Sequence, residues 1–284
     1  MTTTSDNRTK YLIIIFGPTG VGKTDLSIDI AEHFGSEILS CDSRQIYKEL
    51  NVGVAKPDKD QLSRIIHHFI GSVSIHQHYS IYQYESDVLK LLDNYFINHD
   101  IAIMCGGSGL YIDAVCNGID EMPDHDKNIR AGIIDMYKNQ GIHALRFELK
   151  RIDPVYYSQV DLKNPNRMMR AIEVYYQTGK RFSEFRKNKI RQRNFQIIKI
   201  GINLDREQVY ERINKRVDKM ITNGLLEEVQ ELKSYKNLTA LRTIGYTELF
   251  MVLNNEIELH NAIEMIKRNT RHYARRQITW FKRY

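Results

Sequence analysis

The sequence has few of the residues that stabilise small secreted or metal-binding proteins. It has 284 residues, with three cysteines, five prolines and one tryptophan. An odd number of cysteines without a C-x-x-C spacing indicates neither a disulfide framework nor a zinc site. The apolar run YLIIIF is too short for a signal-peptide core or a membrane span, which takes about 20 apolar residues. We therefore expect a cytoplasmic protein with no membrane partner.

What the chain does have is the composition of a globular enzyme. Hydrophobic residues make up 42% and charged residues 27%, and no repeat or low-complexity tract is visible. This length allows one large domain or two unequal ones, with a sizeable buried core.

Positive charge is concentrated in two segments. The formal net charge is only +6, but residues 180–193 hold seven Lys or Arg against one Glu, and residues 265–284 hold seven with no acid. Aromatic residues lie within both segments. Such clusters suit a polyanionic partner, although one cluster alone could equally be a solvated helix face. Together with a phosphate-binding motif, they favour nucleic acid.

The first third of the chain alternates between strand and helix patterns. Residues 11–16 are apolar and β-branched, which predicts a buried parallel strand, and a helix follows from about Thr24 to Phe34. Residues 37–40 and 101–105 predict two further strands, with a helical period between them at Val88, Leu91, Leu92 and Tyr95. The predicted fold class is α/β: a P-loop core with a doubly wound parallel sheet.

The pattern changes after residue 120. Residues 121–193 show almost only helical periods, residues 195–204 return to a strand, and the rest is helical. We predict a core in two parts, 1–120 and 194–284, around a mainly helical insertion domain that binds the polyanion.

A complete phosphate-loop motif, G-x-x-x-x-G-K-[ST], follows the first strand. Its glycines let backbone N–H groups converge on phosphate oxygens at a helix N-terminus, Lys23 adds a positive charge, and the Thr24 hydroxyl can ligate Mg²⁺. The motif indicates a di- or triphosphate ligand, but it does not specify ATP. Its residues are Gly17, Pro18, Thr19, Gly20, Val21, Gly22, Lys23 and Thr24.

Four polar residues, Asp42-Ser43-Arg44-Gln45, follow the second predicted strand. Ligands of open α/β sheets bind at this edge. A kinase or ATPase normally has an Asp at the end of a later strand to hold Mg²⁺, but residues 105–109 are CGGSG. Asp42 itself could reach a metal, so a small-molecule kinase stays an alternative. Asp42 could also be only a helix cap.

The motifs, taken in order, resemble those of tRNA dimethylallyltransferases over nearly the whole chain. They are GPTGVGKT, SCDSRQIYK, AKPD, CGGSGLYIDAV, NPNRMMRAIE, TIGYTEL and RHYARRQITWFKR. The resemblance implies that the loop binds dimethylallyl diphosphate with Mg²⁺, and that the prenyl group passes to the amine of adenosine 37 beside the anticodon. Lys23 and Thr24 would then stabilise the leaving diphosphate, and Asp42 would accept the proton of the amine. Gln45 would contact an adenine edge, and Ser43 and Arg44 a phosphate or neighbouring bases.

The resemblance also assigns tRNA contacts in other parts of the chain. Arg167 and Arg170 match phosphate-binding positions, and Ser108 stands where the family more often has Thr. Val54 departs from the usual GTAKP. The further tRNA-binding residues implied are Arg130, Asn166, Met168 and Met169.

Other interpretations stay open at this point. An adenylate isopentenyltransferase would share the chemistry, but AMP needs neither the basic clusters nor an insertion. An RNA-binding protein without activity would not need an intact Lys23-Thr24. A metal site at His67, His68, His76 and His78 lacks an acid or Cys to complete it. Cys41 is interpreted as a small buried residue, and the chain as a monomer, because tRNA supplies the large partner surface.

Overall fold

A parallel five-stranded sheet forms the centre of the protein. The computed structural model describes residues 8–187 and 190–284. The strands lie in the order β3-β2-β4-β1-β5, and all neighbouring strands are parallel. The strands are β1 (Tyr11–Phe16), β2 (Ile38–Ser40), β3 (His67–His68), β4 (Ile101–Gly106) and β5 (Gln196–Gly201).

Helices cover both faces of this sheet, because alternate strand residues point to opposite sides. Ile13 and Ile15 of β1 pack with Ile28 and Ala31 of helix α1 (Lys23–Phe34) on one face. Leu12 and Ile14 pack on the other face against helices α3 (Ile81–Tyr95) and α4 (Gly109–Asn117). The predicted doubly wound α/β fold is confirmed.

The chain divides into two compact units. Residues up to Cys116 and from Gln192 onward form the first, and Asn117–Arg191 form the second. The second unit lies within a few residues of the insertion predicted at 121–193. Its helices are α5 (Lys127–Ile152, interrupted at Gly141), α6 (Pro154–Tyr157), α7 (Pro165–Thr178) and α8 (Phe182–Phe185).

The first unit continues after the insertion with β5 and a helical segment. This segment contains α9 (Arg206–Thr222), α10 (Leu225–Glu231), α11 (Tyr246–Leu253) and α12 (Leu259–Phe281), and the short helix α2 (Lys59–Arg64) lies before the insertion. Leu225, Leu249 and Ile266, from three of these helices, share one hydrophobic core. None of the helices in the described ranges has the length and hydropathy needed to cross a membrane.

One strand of the sheet is not predicted by the sequence pattern. His67 and His68 form β3, which pairs with β2 at the edge of the sheet, so the strand at 101–106 is the fourth along the chain and not the third. Two polar residues give no alternating pattern, and this strand depends on its neighbour for pairing. The His68 ring pairs with Glu37 at 2.6 Å.

Candidate active site

The phosphate loop joins β1 to α1 at the carboxyl edge of the sheet. Gly20 and Gly22 have φ angles of 83° and 94°, in the left-handed region that favours glycine. Gly22 precedes the first residue of α1 without a side-chain cap, so backbone N–H groups at this helix N-terminus are available to an anion.

Lys23 lies against its own loop. Its Nζ donates to the Pro18 carbonyl at 2.8 Å. Burial lowers the pKa of Lys23 and the charge of Arg216 lowers it further, while Cys105 and Asp42 oppose the shift. A cation held in a partly desolvated site interacts strongly with an anion that enters it. Thr24 follows as the second residue of α1 and is half-buried.

Asp42 lies just beyond β2 and shapes the turn that follows. Its Oδ1 accepts the backbone N–H groups of Arg44 at 2.8 Å and Gln45 at 3.3 Å. Asp42 therefore caps this turn, and it does so with one of its two carboxylate oxygens. Oδ2 accepts no hydrogen bond from any residue within 8–187 or 190–284. The Asp42 charge opposes the lowering of the pKa of both Lys23 and Arg216, so this carboxylate acts electrostatically on two cations that contact the phosphate loop.

Arg44 and Gln45, in the turn after Asp42, donate hydrogen bonds to backbone carbonyls of the protein. The Gln45 amide donates to the Ala55 carbonyl at 2.9 Å and the Val54 carbonyl at 3.3 Å. Because Val54 contributes through its backbone, its departure from the family pattern does not affect this contact. Arg44 donates through Nη1 to the carbonyls of residues 239 and 240, each at 3.1 Å.

Ser108 ties the loop after β4 to the Asp42 turn. Its Oγ accepts the Ser43 backbone N–H at 3.0 Å, and its own N–H donates to the Cys41 carbonyl at 3.2 Å. The serine keeps the hydroxyl of the more usual threonine, so the tie needs no methyl group. Cys41 itself is fully buried, and burial raises the pKa of its thiol well above the ordinary value.

Three polar side chains that were not predicted as site residues also reach the phosphate loop. Arg216 donates to Thr19 Oγ1 at 3.1 Å, Arg212 donates to the Val21 carbonyl at 3.4 Å, and Gln277 Oε1 accepts the Thr19 N–H at 2.9 Å. Burial lowers the pKa of Arg216, and Asp42 opposes the shift. Arg212 and Arg216 are one turn apart on α9, whose buried residues Val209, Ile213 and Val217 pack inward. The apolar period of α9 signals a packed helix but does not show what it packs against.

The helical unit contains a cluster of charges around a buried carboxylate. Glu173 is fully buried, and Arg130 and Arg170 approach its two oxygens at 3.3 Å each. His125 Nδ1 lies 2.8 Å from Glu173 Oε1. Burial alone would raise the pKa of Glu173, but His125, Arg170 and Arg130 together hold it below the ordinary value. Arg130 and Arg170 are thus partly engaged within the protein.

The other predicted tRNA contacts in this unit differ in exposure. Asn166 and Arg167 are exposed on the first turn of α7. Met168 and Met169 are 0% and 5% exposed and belong to the core of the unit. The prediction that these two methionines contact tRNA does not fit the structure, because their side chains pack between helices. The run matched the motif as a block, but a helix turns successive residues to different sides.

The last helix presents a basic face. A cavity of about 480 Å³ is bordered by several of its cations, and the Arg283 guanidinium lies 3.8 Å from the centre of the Trp280 ring. Its lining residues are His272, Arg275, Arg276, Thr279, Trp280 and Arg283.

No group of three or more His, Cys, Asp or Glu side chains within residues 8–187 and 190–284 could hold a metal ion. Mg²⁺ bound with a diphosphate does not require one, because it keeps several waters and takes phosphate oxygens with one or two protein ligands. The Thr24 hydroxyl, beside the loop, suits that donor set.

Comparison with known proteins assigns the chain to a family. The family model described as IPP transferase matches residues 45–284. A tRNA dimethylallyltransferase 1 of Bacteroides thetaiotaomicron is 47% identical over 96% of this chain and 88% of its own length. The solved tRNA isopentenylpyrophosphate transferase of Bacillus halodurans is 29% identical, with a TM-score of 0.69 over 97% of this chain and 88% of that one. A eukaryotic dimethylallyltransferase, described as acting on tRNA, is 26% identical, with a TM-score of 0.78 over 96% and 70%. On this evidence the chain belongs to the IPP transferase family.

Proposed function

We propose that the protein transfers the dimethylallyl group of dimethylallyl diphosphate to the N6 amine of adenosine 37 in tRNA and releases diphosphate. The observation that carries this proposal is the arrangement of Asp42 beside a phosphate loop. A carboxylate with one oxygen that accepts no hydrogen bond from the described residues lies within electrostatic reach of Lys23 and Arg216. Family membership and the relatives named for action on tRNA support the choice of substrates.

The loop supplies what the leaving group needs. As the carbon–oxygen bond of the allylic diphosphate breaks, negative charge grows on the diphosphate. Backbone N–H groups at the start of α1, the Lys23 ammonium and the Arg216 guanidinium stabilise that charge. Thr24 would hold a Mg²⁺ ion, which neutralises diphosphate charge when bound.

Asp42 supplies what the nucleophile needs. The adenine amine is a weak nucleophile because its lone pair is delocalised into the ring. As N6 forms its bond to the allylic carbon, it becomes cationic and must lose a proton. Asp42 Oδ2 accepts that proton, while Oδ1 stays bound to the Arg44 and Gln45 amides and keeps the carboxylate oriented.

The tRNA would bind through exposed cations outside the loop. Arg167 on α7, Arg275 and Arg276 on α12, and Arg283 just beyond the end of α12 are exposed and positively charged. Contacts of this kind position a nucleic acid through its phosphates. AMP would need none of them, which disfavours an adenylate isopentenyltransferase.

A small-molecule kinase is disfavoured by the end of β4. In the described chain this strand runs into Gly106, Gly107 and Ser108, with no acid there to hold Mg²⁺ or orient a water. We further propose that the enzyme is a cytoplasmic monomer that binds diphosphate rather than hydrolysing ATP.

One assay separates these candidates. Purified protein is incubated with labelled dimethylallyl diphosphate and Mg²⁺, and unmodified tRNA, AMP, or ATP with candidate metabolites is added in turn. Label should enter tRNA only, and digestion of the tRNA should locate it at adenosine 37. Transfer to AMP with none to tRNA, or phosphorylation of a metabolite, would contradict the proposal.

A further inference from the structure

Gln277 is the point at which the last helix meets the phosphate loop. It lies on α12 and is 7% exposed. Its Oε1 accepts the Thr19 N–H at 2.9 Å, and its Nε2 donates to the Gly107 carbonyl at 2.9 Å. One buried amide thus joins the loop after β1 to the loop after β4.

Two glycines make this close approach possible. A Cβ atom at Gly107 would lie 2.3 Å from Gln277 Nε2, and one at Gly109 would lie 2.2 Å from Trp280 Cδ1. Real Cβ atoms are not found so close to other atoms. The helix therefore rests directly on the backbone of the loop after β4, and a larger residue at either position would push it away.

The link continues from Gly107 to Asp42. Ser108, the next residue, accepts the Ser43 N–H at 3.0 Å and donates its own N–H to the Cys41 carbonyl at 3.2 Å. Cys41 and Ser43 are the two neighbours of Asp42 in the chain. A continuous path of hydrogen bonds thus runs from Thr19 through the Gln277 amide and the Gly107–Ser108 peptide unit to the residues that flank Asp42.

We propose that Gln277 is a positioning residue that fixes the separation between the phosphate loop and Asp42. This inference rests on the proposed function, in which the loop holds the electrophile and Asp42 receives the proton of the nucleophile. Transfer requires the amine and the allylic carbon to meet in a near-attack arrangement, and a misplacement of about 1 Å can cost about 10²-fold in rate. Gln277 contacts neither partner and acts through the two loops.

The replacement Gln277→Met tests this role. Methionine fills a similar volume and removes both hydrogen bonds. We expect single-turnover transfer with saturating tRNA and dimethylallyl diphosphate to fall about 10- to 100-fold. The Kd for inorganic diphosphate should rise by less than about fivefold, because Lys23 and the amides at the start of α1 remain. The Kd for tRNA should stay within about twofold, because the basic side chains of α12 are untouched.

A second variant disrupts the same link from its other end. Gly107→Ala should displace the Gln277 amide and reproduce the loss of rate. The double variant should be no slower than the slower single variant, because both changes break one link. Asn261→Ala is the matched control: it truncates an exposed amide on the same helix, 16 residues from Gln277, and should transfer at the wild-type rate.

The outcomes distinguish this inference from the proposed function. If the wild-type protein transfers the prenyl group and both variants stay within twofold of its rate, the positioning role is overturned and the proposed function is not. Multiplicative losses in the double variant would also overturn it, since they would show that the two changes act independently and not through one link. A parallel loss of tRNA affinity in Gln277→Met would overturn it too, since it would show a general displacement of the helix. Wild-type protein that neither binds diphosphate nor modifies tRNA would overturn the proposed function, and this inference with it.

Discussion

At Asp42 a single carboxylate has a capping role and a proposed catalytic role, and the catalytic role can be removed while the cap is kept. Oδ1 caps the turn at residues 44 and 45, and Oδ2 is the proposed proton acceptor. An asparagine keeps an oxygen for the two amides but has no basic oxygen to accept a proton. An alanine removes both tasks.

Asp42→Asn should slow the chemical step by about 10²- to 10⁴-fold, the usual contribution of a general base. Thermal stability and tRNA affinity should change little, because the cap remains. Asp42→Ala should show the same loss of rate and, in addition, lose about 0.5–2 kcal/mol of stability with the cap. Single-turnover transfer and thermal unfolding measure the two effects.

Asp58→Asn is the control for these variants, because Asp58 caps α2 through a comparable bond to the Gln61 N–H at 2.8 Å. It is exposed and distant in sequence from the loop, and its variant should transfer normally. Asp42→Asn within threefold of the wild-type rate would leave Asp42 as a cap and remove it from the chemistry.

At the scale of elements, the sequence predicted those strands and helices whose formation depends mainly on their own residues. The strand at 11–16, the phosphate loop and the helix after it follow from apolar runs and from glycines that allow a left-handed backbone. β3 could not be predicted, because two histidines become a strand only by pairing with β2. Gln277 could not be predicted either, since its partner Thr19 lies 258 residues away.

Helix α7 shows the same limit within a single motif. Sequence matching treats residues 166–170 as one contact run. In the helix, Arg167 is exposed, Met168 and Met169 are buried, and Arg170 is paired with Glu173. The amphipathic period was visible, but only packing shows which side chains remain available to a partner.

Arg167→Ala should therefore be the cleaner test of tRNA binding. Removing one phosphate contact should flatten the slope of log affinity against log salt by about one unit. Lys138→Ala removes another exposed cation of the same unit and serves as the comparison. Affinity and slope equal to wild type in Arg167→Ala would contradict a phosphate contact at this position. Arg170→Ala would be harder to interpret, because it would both lower tRNA affinity and remove a charge partner of the buried Glu173.

The Glu173 cluster predicts that the helical unit is sensitive to acid. The pKa of Glu173 lies below its ordinary value of 4.5. A carboxyl with a lowered pKa in the folded state stabilises the fold fully above its unfolded pKa, and this contribution is lost as the pH falls through the folded one. Urea midpoints of the wild type should therefore decrease below about pH 4.5.

Glu173→Gln provides the comparison for that measurement. It should cost about 1.5–3 kcal/mol at pH 6, because two arginines lose a charged partner. Its stability should then depend less on pH than that of the wild type between pH 5 and 3. Equal losses in both proteins over that range would assign the acid sensitivity to other carboxyl groups.

At the scale of the whole molecule, the proposed reaction divides between two kinds of surface. The electrophile is held by a half-buried loop at the sheet edge, where few charges act at short range. In the proposed reaction, exposed cations on α7 and α12 bind the tRNA through many weak contacts that act together. Since different residues serve the two substrates, their affinities should be separable by mutation.

Lys23→Ala is the variant that tests this separation. It should reduce transfer severely and weaken binding of inorganic diphosphate, because the cation that lies against the loop is lost. Its tRNA affinity and its salt slope should match those of the wild type, since Lys23 is partly buried and hydrogen-bonded to Pro18 and is not exposed to a long polyanion.

Arg167→Ala should show the converse: normal diphosphate binding, a normal single-turnover rate at saturating tRNA, and weaker tRNA binding. Isothermal titration with each ligand separately, with tRNA titrated at several salt concentrations, and single-turnover transfer provide these values. A Lys23→Ala protein that loses tRNA affinity and diphosphate affinity to the same extent would show that one surface serves both substrates, and would contradict the division proposed here.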